Sequence, residues 1–259
     1  CAAIGPYEKI IGRAYMEVDP HDPHNSGIVD LALAERNAAG HVEFSTEVVI
    51  LKPVDLNKGN KRIFYDVLNR GRKVGLSLMN DAPSTKDLTS TANVGNGYLM
   101  RMGYTIVWSG WQADVPPGEE RMWLEAPTIK DVTDTNRDEF IFDNDSDPAV
   151  AHLSYPAANL DVTKATLTVR QNENDVRLSP EDLSFEYLYV DRGGVRAHSA
   201  SEILIHRPKG FDAGAIYEFT YPATDPIVMG LAFASTRDVI SVSYTHLRAH
   251  ETDSYLVCR

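Results

Sequence analysis

The sequence predicts an α/β fold that starts with an antiparallel sheet and carries a β-rich insertion. Three observations support this prediction. A segment near the N-terminus alternates apolar and polar residues, two nearly continuous apolar runs flank a helical segment, and short β-branched runs fill residues 113–220.

The composition is that of an acidic globular chain. Of its 259 residues, 43% are hydrophobic and 24% are charged, and the formal net charge is -12. This charge argues against nucleic acid or an anionic membrane surface as a partner, because both select clustered Lys and Arg. No apolar run reaches the roughly 18 residues of a membrane-spanning helix. Cys1 and Cys258 stand at opposite ends, in no metal-binding or redox spacing.

The first fifty residues predict strands joined by turns. The strand segments are EKIIGRAYMEVD, GIVDLALA and HVEFSTEVVIL. In the third, one face carries Val42, Phe44, Thr46, Val48 and Ile50, and the other carries Glu43, Ser45 and Glu47. This alternation is typical of an antiparallel sheet with one face exposed to water.

The pattern then changes to one typical of a parallel sheet. The run from Ile63 to Leu68 is nearly continuous in apolar residues, and Tyr104 to Trp108 forms a second such run. Between these two runs, a helix is expected within residues 83–102, where Asn93, Gly95 and Gly97 are unfavourable to it. A strand, a helix and a strand of this length indicate a right-handed βαβ unit.

Residues 113–220 predict an insertion with its own strands. ERMWLEAPTI, KATLTVRQ, SFEYLYV and SEILIHR are rich in β-branched or aromatic residues, and the acidic link KDVTDTNRDEFIFDNDSDPA follows the first of them. A helix is expected from YPATDPIVMGLAFASTRDVIS, with Thr224 or Asp225 as its N-cap and Pro226 in its first turn.

The last residues, 242–259, read as translated sequencing adapter. VSYTHLRAHET matches a transposase-type adapter, and LVCR matches the next fixed adapter segment in the same frame. We therefore exclude these residues from the fold prediction and expect residues 1–241 to be one N-terminal part of a larger domain. A genuine polar tail is the alternative.

Two segments contain side chains that can bind a metal ion, but neither has the full pattern of a metal site. His21, Asp22 and His24 lie within a turn that contains two prolines. Asp143, Asp145 and Asp147 alternate as in a calcium loop, but the required Gly and Glu are replaced by Pro148 and Ser154. Asp191 and His198 could be taken as two members of a catalytic triad. In α/β-hydrolases, however, the acid and the histidine follow the nucleophile in the chain, so we interpret this pair as the solvated flank of a Gly-Gly turn. We expect no metal and no cofactor.

Four segments together resemble a bacterial family described as alpha/beta hydrolase domain-containing protein. These are the N-terminal strands from Gly5 to Asp55, GNKRIFYDVLNRG, YTIVWSGWQAD and IYEFTYPATDPIVMGLAFASTRDVIS, in order over Gly5 to Ser241. The resemblance implies a partial α/β-hydrolase fold, truncated before the nucleophile elbow, because members are larger and their catalytic serine, acid and histidine come later. It also favours a periplasmic or secreted location.

The resemblance carries a small set of site residues. Asn69, Arg70 and Gly71 follow the first buried strand, where hydrolases of this kind supply a backbone N–H to the oxyanion hole. Trp108, Trp111 and Asp114 follow the second and are expected to line the substrate site. An ordinary turn needing glycine and an aromatic packing role are the alternatives. GLSLM, at Gly75 to Met79, lacks the second glycine of a nucleophile elbow.

The expected function is therefore that of a serine-type hydrolase fragment acting on a small ester-like substrate and inactive without its nucleophile. The competing hypothesis is a non-catalytic β-rich protein that binds a carbohydrate or peptide, with the tryptophans as stacking surfaces.

Overall fold

The chain divides into two compact units. The computed structural model describes residues 3–83, 88–115, 118, 121–193 and 195–248. Unit 1 comprises Cys1–Thr128 and Ile227–Arg259, and unit 2 comprises Ile129–Pro226. Unit 2 overlaps the predicted insertion at 113–220 and is described by itself below.

Unit 1 is built on a five-stranded sheet. Its strands are β1 (Tyr7–Val18), β2 (Val42–Pro53), β3 (Ile63–Tyr65), β4 (Thr105–Ser109) and β5 (Leu124–Glu125). The strand order is β1-β2-β4-β3, and β5 pairs with β2. β2 is antiparallel to β1, β4 and β5, whereas β3 and β4 are parallel.

Three α-helices in the described part of unit 1 cover the sheet. They are α1 (Gly75–Asn80), α2 (Tyr98–Arg101) and α3 (Leu231–Arg248). Residues of α1 and α2 share a core with β2 and β4 that includes Leu76, Leu99, Val49, Ile106 and Trp108. α3 contacts β3 and β4. No helix within the described ranges is both long and apolar enough to cross a membrane.

Unit 2 is an antiparallel β-sandwich. Its strands are β6 (Thr133–Ile141), β7 (Ala149–His152), β8 (Thr166–Arg170), β9 (Ser184–Arg192), β10 (Val195–His206) and β11 (Ile216–Thr224). They form two sheets, β7-β10-β9 and β6-β11-β8, whose facing residues build one core. Alternate residues of β11, Tyr217, Phe219 and Tyr221, point into it and are fully buried.

The opposite face of β11 carries a buried ion network. Glu218 is only 5% exposed and sits in register with Glu139 of β6. Arg177 contacts both of its carboxylate oxygens, at 2.6 and 3.0 Å, and Arg170 lies 3.3 Å from the same group. The hydrogen bonds from Arg177, with the charges of Arg177, Arg137 and Arg170, hold the pKa of Glu218 below its usual value.

The predicted α/β fold class, a partial α/β-hydrolase fold, is wrong. Strands make up 37% and helices 18%, and the sheets are antiparallel rather than built from alternating helices and strands. The parallel signal is real but local, since β3 and β4 form the one parallel pair of strands in the described residues. One parallel pair within a mainly antiparallel sheet does not make an α/β fold.

Single elements also differ from the prediction. Of the helix expected within residues 83–102, the described residues contain only the four-residue α2, because Gly95 and Gly97 have φ of +62° and +70°. Residues 84–87 of that range lie outside the described residues. GIVDLALA is not a strand but turns with a short 3-10 helix at Leu31–Leu33. The acidic link contains β6, whose outward side chains are polar. The short 3-10 helices are Pro23–Asn25, Leu31–Leu33, Leu56–Lys58, Thr91–Val94 and Val162–Lys164.

The expected start of the last helix is also wrong. Thr224 ends β11, and its hydroxyl donates to the carbonyl of Val132 instead of capping a helix. Asp225 has φ of +56° and pairs with Lys130 at 3.1 Å. The helix begins only at Leu231 and continues through Arg248.

Replacing Glu218 by Gln should weaken unit 2 and change its response to acid. Because the folded pKa is lowered, the carboxylate stabilises the fold above the unfolded pKa of about 4.3, and this contribution is lost as pH falls through the folded pKa. E218Q should cost about 3 kcal/mol near neutral pH and flatten the loss of stability below about pH 5.

The effect is measured by urea unfolding at several pH values, with hydrogen exchange of the β11 amides as the readout. All three tryptophans lie in unit 1, so indole fluorescence does not report on the sandwich. E181Q alters an exposed glutamate and is the matched control. Equal acid sensitivity of E218Q and the parent would contradict the role of the network.

Candidate functional site

A tight turn follows β3 at the edge where the parallel pair ends. The backbone N–H of Asn69 donates to the carbonyl of Arg72, and that of Arg72 donates back, both at 3.1 Å. The two central residues, Arg70 and Gly71, have φ of +51° and +81°. Positive φ at both central positions defines a type I′ turn.

Three contacts fix this turn against the segments that follow β4. The Arg70 guanidinium donates to the Asp114 carboxylate at 2.7 Å and to the Asp114 carbonyl at 2.9 Å. The indole N–H of Trp111 donates to the carbonyl of Leu68 at 2.7 Å. The N–H of Met122 donates to the carbonyl of Gly71 at 2.9 Å. The structure thus brings Arg70, Gly71, Trp111 and Asp114 into one constellation.

Gly71 is required by packing as well as by its backbone angle. A Cβ on this residue would lie 2.7 Å from the Met122 carbonyl oxygen and 3.0 Å from a methyl carbon of Val115. Gly71 is buried, whereas Asn69 and Arg70 are exposed. The side of the turn open to a ligand is therefore that of residues 69 and 70.

Sequence reasoning missed a buried charge behind the turn. Asp66 is 5% exposed, and its Oδ2 accepts hydrogen bonds from Gly75 N at 2.8 Å and from Trp108 Nε1 at 2.7 Å. Lys73 is 6% exposed, with its Nζ 5.8 Å from the centre of the Trp108 ring. The available signal was an aspartate inside the apolar run Ile63 to Leu68.

Of the three expected substrate-lining residues, two reach the surface. Trp108 is fully buried with its N–H bonded to Asp66, so it packs behind the edge and cannot stack on a ligand without displacement of the core. Trp111 is half-buried, and the Asp114 side chain is 41% exposed. A substrate-lining role remains a prediction for Trp111 and Asp114.

The described residues contain no serine or cysteine hydrogen-bonded to a histidine. The ring of His198 contacts the Tyr187 carbonyl instead, and the backbone of Asp191 lies in register with that of Arg196 in the β9–β10 ladder. His24 contacts Asp22 at 2.8 Å, while His21 faces Arg36. Within the described ranges, no group of three acidic, histidine or cysteine side chains could hold a metal ion.

The comparisons with known proteins add no homologue. No protein-family model matches the chain, and no curated protein or solved structure matches it. The family resemblance carried by the sequence segments therefore stays a prediction.

Replacing Asp66 by Asn should destabilise unit 1 strongly. The amide removes the charge that accepts from Gly75 N and Trp108 Nε1, and hydrogen bonds to a buried charge contribute about 1.5–3 kcal/mol. Urea unfolding followed by tryptophan fluorescence should show a loss of about 2 kcal/mol for D66N.

D114N is the matched control, because it breaks an exposed ion pair whose contribution is about 0–1 kcal/mol. Equal losses for the two variants would show that the buried carboxylate is not the stronger constraint.

Replacing Gly71 by Ala should test the close approach of the turn to Met122. G40A is the matched control, since Gly40 has a similar φ of +85° but no atom within 4 Å of an added Cβ. We expect G40A to cost about 1 kcal/mol for the left-handed conformation alone. G71A should cost about 3 kcal/mol, because a steric clash is added. Chemical denaturation of both variants measures the difference, and equal costs would contradict it.

Proposed function

We propose that the chain provides the acyl-binding side of a serine-type hydrolase for a small ester or related acyl substrate. The carrying observation is the turn at residues 69–72, whose central N–H groups take no part in its two internal hydrogen bonds. These N–H groups are available to stabilise negative charge on a reacting carbonyl oxygen. Arg70 is exposed, so its N–H is the first that an approaching oxyanion meets.

Rigidity of the turn supports this proposal. Oxyanion stabilisation depends on donors that are already in place and do not reorganise during the reaction. Three contacts hold the turn: Arg70 donates to Asp114, and the N–H groups of Trp111 and Met122 donate to the carbonyls of Leu68 and Gly71. Behind it, Asp66 ties β3 to β4 and to the start of α1.

The proposal assigns the nucleophile to residues other than those described. The described residues hold no serine hydrogen-bonded to a histidine, so within the proposal they supply binding and charge stabilisation. We propose that the serine and its general base lie outside the described residues.

Two measurements on the purified chain test the proposal. Titration with a small carboxylate such as acetate, whose oxygen mimics the oxyanion, should shift the backbone amide resonances of Arg70 and Gly71. The amide of Gly40, which occupies a similar conformation elsewhere, should not move. Incubation with p-nitrophenyl acetate should give no turnover above the buffer rate.

The two outcomes separate the parts of the proposal. Measurable ester turnover would show that the nucleophile lies within this chain. Amide resonances of residues 70 and 71 that do not respond to carboxylate would remove the turn from the oxyanion role. D114N, which releases the Arg70 side chain while leaving the backbone donors, should retain a weaker response.

A binding role for the sandwich is the second candidate, favoured by one exposed aromatic pair. Tyr189 of β9 is 58% exposed and meets the ring of His198 at 5.1 Å in an edge-on arrangement. Exposed aromatic rings stack on sugars and on peptide side chains. An oligosaccharide and peptide binding screen should then lose its signal in Y189A but not in Y98A, which alters an exposed tyrosine of unit 1. No signal with the parent chain would remove this candidate.

A further inference from the structure

The edge of the unit 1 sheet formed by β1 is long and open. β1 pairs with β2 over all twelve of its residues, from Tyr7↔Pro53 to Val18↔Val42, without a register shift. In the described part of the chain, no strand pairs with its other edge. The outward-pointing N–H and C=O groups of β1 are therefore a template for another strand.

β1 also lacks two of the features that usually protect an edge strand. It contains no proline and no bulge, and it exposes Ile11 by 66% and Tyr15 by 77%. Its charges are largely used within its own sheet, since Glu8 pairs with Lys52 and Arg13 with Glu125. Lys9 has no ion-pair partner among the described residues.

The chemistry of β1 selects a second copy of itself as the partner. In an antiparallel strand the groups of alternate residues point to the same edge, so two copies can pair only with the two-fold axis through a residue. An axis through Ile11 would set Lys9 against Arg13 and leave Lys9 without a carboxylate opposite it. An axis through Arg13 sets Lys9 opposite Glu17 and Ile11 opposite Tyr15.

We propose that the chain forms a homodimer in which two β1 strands pair antiparallel about Arg13. The pairing joins the two most exposed apolar side chains of the strand and adds an ion pair from Lys9 to Glu17, each twice by symmetry. The two Arg13 side chains meet at the axis with their charges already compensated, because each donates to Glu125 at 2.6 Å and to Ser45 at 2.9 Å.

Disulfide trapping tests the pairing and its register. In a C1S/C258S background, I11C/Y15C should give a covalent dimer under mild oxidation, because these positions face each other across the axis. Bonding within one chain is excluded, since four residues of a strand span about 13 Å. K9C/Y15C reports the alternative register with the axis at Gly12 and should stay largely monomeric.

Sedimentation of variants without cysteine changes gives an independent test. The parent chain should dimerise as its concentration rises, and I11D/Y15D should raise the dissociation constant about tenfold or more. V176D alters an equally exposed apolar residue of unit 2, at 78%, and should dimerise like the parent.

Three results would overturn the proposal. The first is a parent chain that remains monomeric at every concentration. The second is I11D/Y15D that dimerises as well as V176D. The third is cross-linking of K9C/Y15C in preference to I11C/Y15C, which would place the axis elsewhere.

Discussion

The buried carboxylate of Asp66 is the constraint on which the edge of the unit 1 sheet depends. A charge removed from water is costly unless donors replace the lost hydration. Here the donors come from two different elements, the indole of Trp108 on β4 and the first N–H of α1 at Gly75. A side chain at Gly75 would lie 2.8 Å from the carboxyl carbon of Asp66, so only glycine admits this arrangement. The direction in which the chain leaves β3 follows from these bonds.

In unit 2, the strand β11 packs aromatic side chains on one face and places the charge of Glu218 on the other. The inward aromatics of β11 supply the buried apolar area, with Phe219 stacked near Tyr221 and edge-on to Phe185. On the outward face Glu218 is buried, and its charge is compensated by arginines. This arrangement fixes the register of β11 strongly, because a shift by one residue would place Glu218 in the aromatic core.

The sequence predicted those elements whose side chains follow a clear period and missed those whose burial comes from tertiary contacts. β1, β2, β8, β9 and β10 correspond to strand segments expected from the sequence, and the parallel pairing of β3 with β4 is confirmed. Ser45 was expected on a wet face but is buried, because β5 pairs there. β6 was not predicted, because its pairing with β11, rather than its own apolar residues, holds it in the sheet.

The residues of the candidate site also divide into those that the sequence predicted and those that it did not. Residues 70, 71 and 114 were predicted as site residues because they follow two buried strands. Asp66 and Lys73, which are buried behind the turn, were not among the predicted site residues. A type I′ turn favours Asn, Asp or Gly at the position of Arg70. The left-handed conformation there costs about 1–2 kcal/mol.

The half-exposed ion pair between Arg70 and Asp114 stabilises the fold by about 1 kcal/mol at most. Local energy alone therefore does not select arginine at this position. What the arginine adds is a two-point link between the segments that leave β3 and β4, which holds the turn in one shape at the exposed edge of the parallel pair. A non-glycine residue in this conformation, held in place by such a link, is a motive for the binding role proposed for the turn.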